Sequence, residues 1–226
     1  MSIPSCPICG ASEFEQLAIL WPELIADWQL SPQEAAYIDE QQGFTCARCR
    51  VNLRAMTLAS ALMAHFRYDG LFRDFCAGPL AAMDVLEINE ANQLTKDLNA
   101  SPRHVLAKYP QVDMRAMPYA DRAFDVVIHS DTLEHVPGAV AALRECLRVL
   151  RSGGVLAYTV PIIVGRRTRS RAGMKESFHG SGEPDNLVQT EYGADAWCEA
   201  MEAGFREVQL HSLHYPASIA IVARKL

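Results

Sequence analysis

Two short cysteine pairs, three histidines and a handful of carboxylates carry most of the chemistry open to this chain. Cys6-Pro7-Ile8-Cys9-Gly10 sets two thiols on one tight turn, and Phe44-Thr-Cys46-Ala-Arg-Cys49 offers a second such pair. The glycine after the second cysteine lets the backbone fold back beneath its ligands. Four thiolates from Cys6, Cys9, Cys46 and Cys49 around one ion would make a closed tetrahedral zinc site, structural because no position stays open to water. Two such pairs indicate metal binding in a reducing compartment rather than disulfides. Cys76, Cys146 and Cys198 stand singly among apolar residues and read as small buried hydrophobes.

The second group lies between Val85 and Pro161. Val85-Leu-Glu-Ile88 is a short apolar run, followed at once by the loop Asn89-Glu-Ala-Asn92. Asp113-Met-Arg-Ala-Met-Pro118, Phe124-Asp-Val-Val-Ile-His-Ser130, Leu133-Glu-His-Val136 and Arg148-Val-Leu-Arg-Ser-Gly-Gly154 follow in order, then Val155-Leu-Ala-Tyr-Thr-Val-Pro161. In order and spacing these resemble the second half of class I S-adenosylmethionine-dependent methyltransferases of the type 11 group. The resemblance implies S-adenosylmethionine as cofactor. It also implies a cofactor site over Glu87, Asn89, Glu90, Asp113, Met114, His129 and Ser130, with Asp113 accepting from the adenine amino group. His135 falls where the family places residues beside the reacting methyl group; His129 is a second candidate base at the strand end, and His179 a third in the later loop, since histidine titrates near neutrality. The alternative for Glu134 and His135 is a structural one, orienting the helix that follows. Asp131-x-x-Glu134-His135 also resembles an acid-x-x-acid-His pattern of some quinone O-methyltransferases, where a divalent ion can bind.

The chain departs from the pattern of the family it resembles at the first loop. Glu87-Ile-Asn-Glu-Ala-Asn-Gln-Leu94 stands where a glycine-rich loop is usual. Asn89 and Asn92 are the non-glycine residues most tolerant of the left-handed region. The segment from Asn89 to Asp113 is short for a full crossover, so the second strand is expected to be short and to lack its following helix. The acid that would bind ribose hydroxyls is missing there; Tyr109 or Glu90 could take its place.

The elements that must position these residues alternate. Apolar runs at Val85–Ile88, Phe124–Ser130 and Val155–Val160 suit buried parallel strands. Val140, Leu143, Leu147 and Leu150 recur at helical spacing, Asp195 to Ala203 reads as a helix closed by Gly204, and Glu207–Leu213 with Ile219–Lys225 suit a closing antiparallel hairpin. This is an α/β protein with a doubly wound Rossmann-like sheet. Residues 1–60 are expected as a zinc-ribbon-like unit with a helical insert, 61–80 as a helical linker and 81–226 as the methyltransferase domain. In the insert, Pro22 opens a short helix, Ser31-Pro-Gln-Glu34 has a capping-box pattern, and Gly43 ends the second helix. Trp21, Leu24 and Trp28 share one face, expected to pack on the neighbouring domain. Residues 51 to 75 read as one helical stretch.

Gly165-Arg-Arg-Thr-Arg-Ser-Arg171 begins at a strand's carboxyl end, over the expected acceptor pocket. Arg166, Arg167, Arg169 and Arg171 would suit a phosphate or carboxylate on the acceptor, or form a solvated loop. Gly180–Pro184 reads as a lid. The acceptor is expected to be a small or carbohydrate-derived molecule. Two rivals stay open: an rRNA methyltransferase with a zinc unit, and a non-catalytic binding module in a degenerate methyltransferase fold. The net charge of −6 opposes a nucleic-acid partner. No apolar run approaches a membrane span and no signal peptide is visible, so the cytoplasm is expected.

Overall fold

The computed structural model describes residues 3–179 and 184–226 of the 226-residue chain. The chain opens with β1 (Phe14–Gln16), α1 (Pro22–Asp27), α2 (Pro32–Gly43) and β2 (Phe44–Cys46). β1 and β2 pair antiparallel, which draws the two cysteine turns together. Ser31 and Glu34 cap each other's backbone at the start of α2, as the sequence pattern requires.

Residues 51 to 75 form two helices rather than one, α3 (Leu53–His65) and α4 (Phe72–Ala77). The break has a local cause: Arg67 takes a positive φ of 54° and Gly70 follows, while Tyr68 and Phe66 turn back to stack on Phe75. α3 is apolar on most of its surface and packs on the central sheet. The expected boundary at residue 60 thus falls inside a helix of the sheet layer.

That sheet is built from β3 (Val85–Ile88), β4 (His104–Ala107), β5 (Phe124–Ser130), β6 (Leu150–Thr159), β10 (Glu207–His214) and β11 (Ser218–Arg224), in the order β10-β11-β6-β5-β3-β4. β4, β3, β5 and β6 run parallel, and β11 closes the sheet antiparallel to β6, with β10 antiparallel to β11. Only the short α5 (Leu94–Leu98) joins β3 to β4, and turns without a helix join β4 to β5. The shortened second unit is therefore real. β6 starts at Leu150, so the Gly153–Gly154 pair lies inside the strand, where Gly153 takes a φ of +82°.

Strand alternation sorts the core into two faces. Val126, Ile128, Val155, Ala157, Ala220 and Val222 face α3 and α4. Val127, Leu156, Tyr158 and Ile221 face α6 (Ala139–Val149) and α7 (Cys198–Ala203). The first cluster runs on without a gap into Cys6, Ile8, Cys9 and Cys46, so the cysteine unit is an extension of the sheet core.

A small second sheet, β7 (Ile162–Ile163), β8 (Arg169–Ser170) and β9 (Thr190–Gly193), has the order β7-β9-β8 and meets the insert through Trp28, Tyr37, Ile38, Leu53, Ile163 and Val188. Arg166 clamps this contact. It donates to Glu34 at 2.8 and 2.9 Å and to the carbonyls of Trp28 and Gln29 at 2.8 and 2.7 Å. The guanidinium holds the Glu34 carboxyl down at about 2. Arg166→Ala is expected to lower stability by about 2 kcal/mol, the usual scale for hydrogen bonds to a charged group. A depressed carboxylate stabilises above its unfolded value and loses that contribution as pH falls through its folded value. The difference between wild type and variant in urea denaturation should therefore be full above pH 4.5 and shrink towards pH 2.

Candidate functional site

The loops at the carboxyl ends of β3, β4 and β5 enclose one cavity of about 420 Å³, with Asn89, Tyr109, Asp113, Met114, Asp131 and His135 in its wall. Its floor is the loop that lacks glycines. Asn89 and Asn92 both adopt the left-handed region, at φ 54° and 56°, so asparagine takes over the conformation that glycine usually supplies. The Asn89 amide oxygen accepts from the Tyr109 backbone at 3.0 Å.

Glu87 holds this loop from beneath. It is fully buried, and its carboxylate accepts from the Ala91 backbone at 2.7 Å, from Thr95 Oγ1 at 2.5 Å and pairs with His104 Nε2 at 2.8 Å. With no exposed surface, Glu87 shapes the cavity without facing it. Glu90 turns outward to Lys108 at 2.5 Å. Asp113 is chelated by the Arg115 guanidinium at 2.7 Å, which lowers its pKa, and Met114 is buried beside it.

His129 and Ser130 lie inside the sheet. His129 has no exposed surface and stacks on Tyr158 with ring centroids 4.8 Å apart. Burial lowers its pKa to about 3, so it stays neutral. Ser130 Oγ shares a 2.8 Å hydrogen bond with Thr159.

A second cavity, of about 530 Å³, adjoins the first. Its apolar wall comes from the insert, including Leu20, Trp21, Leu24 and Trp28, and from Ile163. Asp131 and His135 line both cavities. Trp21, Leu24 and Trp28 do share a face, but that face looks into this cavity as well as onto the neighbouring sheet.

The junction is crowded with polar groups. Arg54, 1% exposed on α3, pairs with Asp131 and donates to Gln41 Oε1 at 2.5 Å. Burial lowers its pKa to about 10, opposed by Glu134, so it remains charged. Asp131 sits at a φ of 49°, an uncommon conformation for a residue with a side chain. Glu134 is buried and neither of its carboxylate oxygens has a hydrogen-bond partner among the described residues. Burial raises its pKa, while His135 and Arg54 counteract this.

His135 and His179 flank that carboxylate at 3.8 and 3.9 Å, their rings edge to face at 5.1 Å. His135 Nδ1 lies 3.2 Å from the Leu187 carbonyl. A carbonyl oxygen only accepts, so this nitrogen carries the hydrogen and Nε2 keeps its lone pair; the tautomer is assigned from that contact. His179 lines the larger cavity and leaves 30% of its side chain exposed. Burial, reinforced by His135, Arg54 and Arg171, lowers its pKa to about 3. Glu134, His135 and His179 also present donor atoms within 4.8 Å of one another, a set of metal-ligating type. Asp131, the first acid of the sequence pattern, is drawn to Arg54 instead.

The arginines of residues 165–171 do not converge on either cavity. Arg166 is bound to Glu34, Arg169 and Arg171 to Glu191, and Arg167 is exposed near Asp195. The expected lid at Gly180–Pro184 falls largely outside the described residues. Arg54 is the site residue that the sequence reading missed; its one signal was a lone cation in an otherwise apolar helix. In the cysteine unit, Cys6 and Cys49 Sγ lie 3.6 Å apart and Cys9 and Cys46 Sγ 3.7 Å apart.

Residues 71–158 match the family described as a methyltransferase domain. The chain is 39% identical over 67 residues to a "Probable S-adenosylmethionine-dependent methyltransferase" of Mycolicibacterium smegmatis, covering 27% of this chain and 26% of that protein. It is 30% identical over 87 residues to a ubiquinone biosynthesis O-methyltransferase of Parvibaculum lavamentivorans, covering 38% of this chain and 34% of that one. The chain thus spans about a quarter to a third of the length of these relatives. Among solved structures, a methyltransferase from Thermotoga maritima described as a possible histamine N-methyltransferase aligns at 16% identity with a TM-score of 0.43, over 77% of this chain and 90% of that chain.

Removing Glu87 would take the acceptor from the buried Ala91 N–H and from the half-buried Thr95 and His104, and leave a cavity beneath the loop. Glu87→Ala is expected to cost about 3 kcal/mol in denaturant unfolding, at roughly 1 kcal/mol or more per unmet donor. Stability within about 0.5 kcal/mol of wild type would show that the carboxylate is free for a ligand.

Proposed function

We propose that the protein transfers a methyl group from S-adenosylmethionine to a small-molecule acceptor. The observation that carries this reading is the junction of the two cavities at Asp131 and His135: ligands seated in the two cavities meet there. The match of residues 71–158 to a methyltransferase domain supports it. S-adenosylmethionine supplies a methyl group made electrophilic by a sulfonium; the chain's own residues bind, orient and handle a proton.

The smaller cavity suits the adenosine end. Met114 offers an apolar surface for the purine and Asp113 an acceptor for its amino group. Asn89 and Tyr109, which line the same cavity, are assigned to the ribose hydroxyls. The methionine end is a zwitterion and needs both signs of charge; Arg54 and Asp131 supply them at the junction. His135 Nε2 is the group that takes a proton from the acceptor, with the tautomer held by Leu187. The Glu134 carboxyl lies 3.8 Å from that nitrogen. His179 stays neutral and works as a wall that orients His135. Most of the catalytic effect is positioning for an in-line displacement. The acidic balance of the chain and the internal pairing of its arginines leave little for an RNA backbone.

We also assign Cys6, Cys9, Cys46 and Cys49 to a structural zinc ion. A tetrahedron with zinc–sulfur bonds of about 2.3 Å has edges of about 3.8 Å, close to the observed 3.6 and 3.7 Å. Burial raises the pKa of the Cys6 thiol and the backbone N–H groups of Cys9 and Ile8 oppose it; a zinc ion would supply the charge that holds the sulfur as a thiolate. The ion would tie the start of the chain to β2.

Calorimetry with S-adenosylhomocysteine and 5′-methylthioadenosine tests the cofactor reading, because the two share adenosine and differ in the amino acid end. Wild type should prefer the former by about tenfold or more, the scale of charge-assisted hydrogen bonds, and Arg54→Met should abolish the preference. Binding of neither compound would contradict the proposal. Purified protein should carry close to one zinc per chain, and Cys46→Ser should release it with a fall in thermal midpoint; metal-free protein of unchanged stability would refute the zinc assignment.

A further inference from the structure

We infer that the acceptor is a flat, uncharged aromatic molecule carrying an ionisable hydroxyl, seated in the larger cavity with its ring system against the insert. The inference rests on the methyltransferase reading and gives it a substrate class.

The polarity of the cavity is divided. Leu20, Trp21, Leu24, Trp28 and Ile163 form an apolar body, whereas Arg54, Asp131, His135 and His179 gather at the end shared with the cofactor cavity. A ligand matching this wall is apolar along its length and polar at one tip.

The insert helix gives the second observation. α1 is six residues long and buries none of them, although it carries Leu24 and Ile25. So short a helix does not hold together alone. Trp21, at its start, leaves 42% of its surface exposed, and Ile19 39%. Its apolar face looks into the cavity, so an apolar occupant completes a core that the chain leaves unfinished. Trp28 is a fixed ring in the cavity wall: its Nε1 donates to Ser177 Oγ at 2.8 Å and the Arg171 guanidinium lies over the ring, 5.2 Å from its centroid. A rigid indole face favours a flat ring over a flexible chain.

Charge completes the selection. The guanidinium in the cavity wall, Arg54, is shared between Asp131 and the methionine carboxylate of the cofactor reading, and Arg166, Arg169 and Arg171 answer Glu34 and Glu191. Among the described residues, a phosphate or sugar nucleotide on the acceptor would find no further arginine in the cavity wall. At the polar tip, the acceptor hydroxyl gives its proton to His135 Nε2 and its oxygen forms the bond to the methyl carbon. The carbon–sulfur bond breaks with its electron pair returning to sulfur, which leaves a methyl ether and S-adenosylhomocysteine; the imidazolium later releases the proton to water.

The test is calorimetry on the full-length protein saturated with S-adenosylhomocysteine, using 2-naphthol, 1-decanol and UDP-glucose as probes. 2-Naphthol should bind at least tenfold more tightly than 1-decanol, and UDP-glucose should give no saturable heat. Trp21→Ser and Leu24→Ser, at positions that are not buried, should weaken 2-naphthol about tenfold while leaving S-adenosylhomocysteine affinity and the circular dichroism spectrum unchanged. Decanol or UDP-glucose binding as tightly as 2-naphthol, no saturable 2-naphthol binding, or variants that bind it like wild type would overturn the inference. Failure of S-adenosylhomocysteine itself to bind would instead condemn the methyltransferase reading.

Discussion

A guanidinium sealed inside the protein organises the rest of the molecule. Arg54 reaches from α3 to Asp131 at the end of β5 and to Gln41 on α2, and Gln41 in turn donates to the Ala217 carbonyl in the turn between β10 and β11 at 2.7 Å. A buried charge without partners costs several kcal/mol. Insert, linking helix and central sheet must therefore come together at one point for any of them to be stable there. That point is also where the two cavities meet: Arg54 and its partner Asp131 both line the larger one, while Gln41 stays buried behind them.

The cysteine unit takes its meaning from the same constraint. Its buried cysteines continue the sheet core rather than forming a separate one, and the segment between Ala11 and Thr45 folds back as the roof of the larger cavity through α1 and α2. Fixing the two ends of that segment at the four thiols limits where α1 can lie. Arg166 and Glu34 limit it from the other side. The roof is tethered at its edges and unfinished in its centre, which is the form expected of a wall that a ligand completes.

The sheet was legible in the sequence because its signals are local. Val85–Ile88, Phe124–Ser130 and the final hairpin announce themselves as apolar runs, and the short segment before Asp113 gave away the missing helix. Asn89 and Asn92 declared their left-handed conformation by residue type. The site was harder to read because its contacts are distant in sequence. Glu34 lies 132 positions from Arg166 and Asp27 148 from Lys175, so a basic loop that suggested an anionic ligand is in fact answered from within the chain. Arg54 hid in an apolar helix, and Glu87 could be placed near the cofactor by resemblance but not seen to turn inward to His104. The helix expected over residues 51–75 failed at Arg67 to Gly70, where ring packing around Phe75 outweighs helical propensity.

The central claim is that adenosine and acceptor occupy adjoining cavities and meet between Asp131 and His135. A crystal structure of the protein with S-adenosylhomocysteine bound tests it most directly. The account predicts adenine against Asp113 and Met114, the homocysteine end at Arg54, and the sulfur facing His135 across the opening into the larger cavity. A sulfur turned away from that opening, or a homocysteine end lying remote from Arg54, would contradict it.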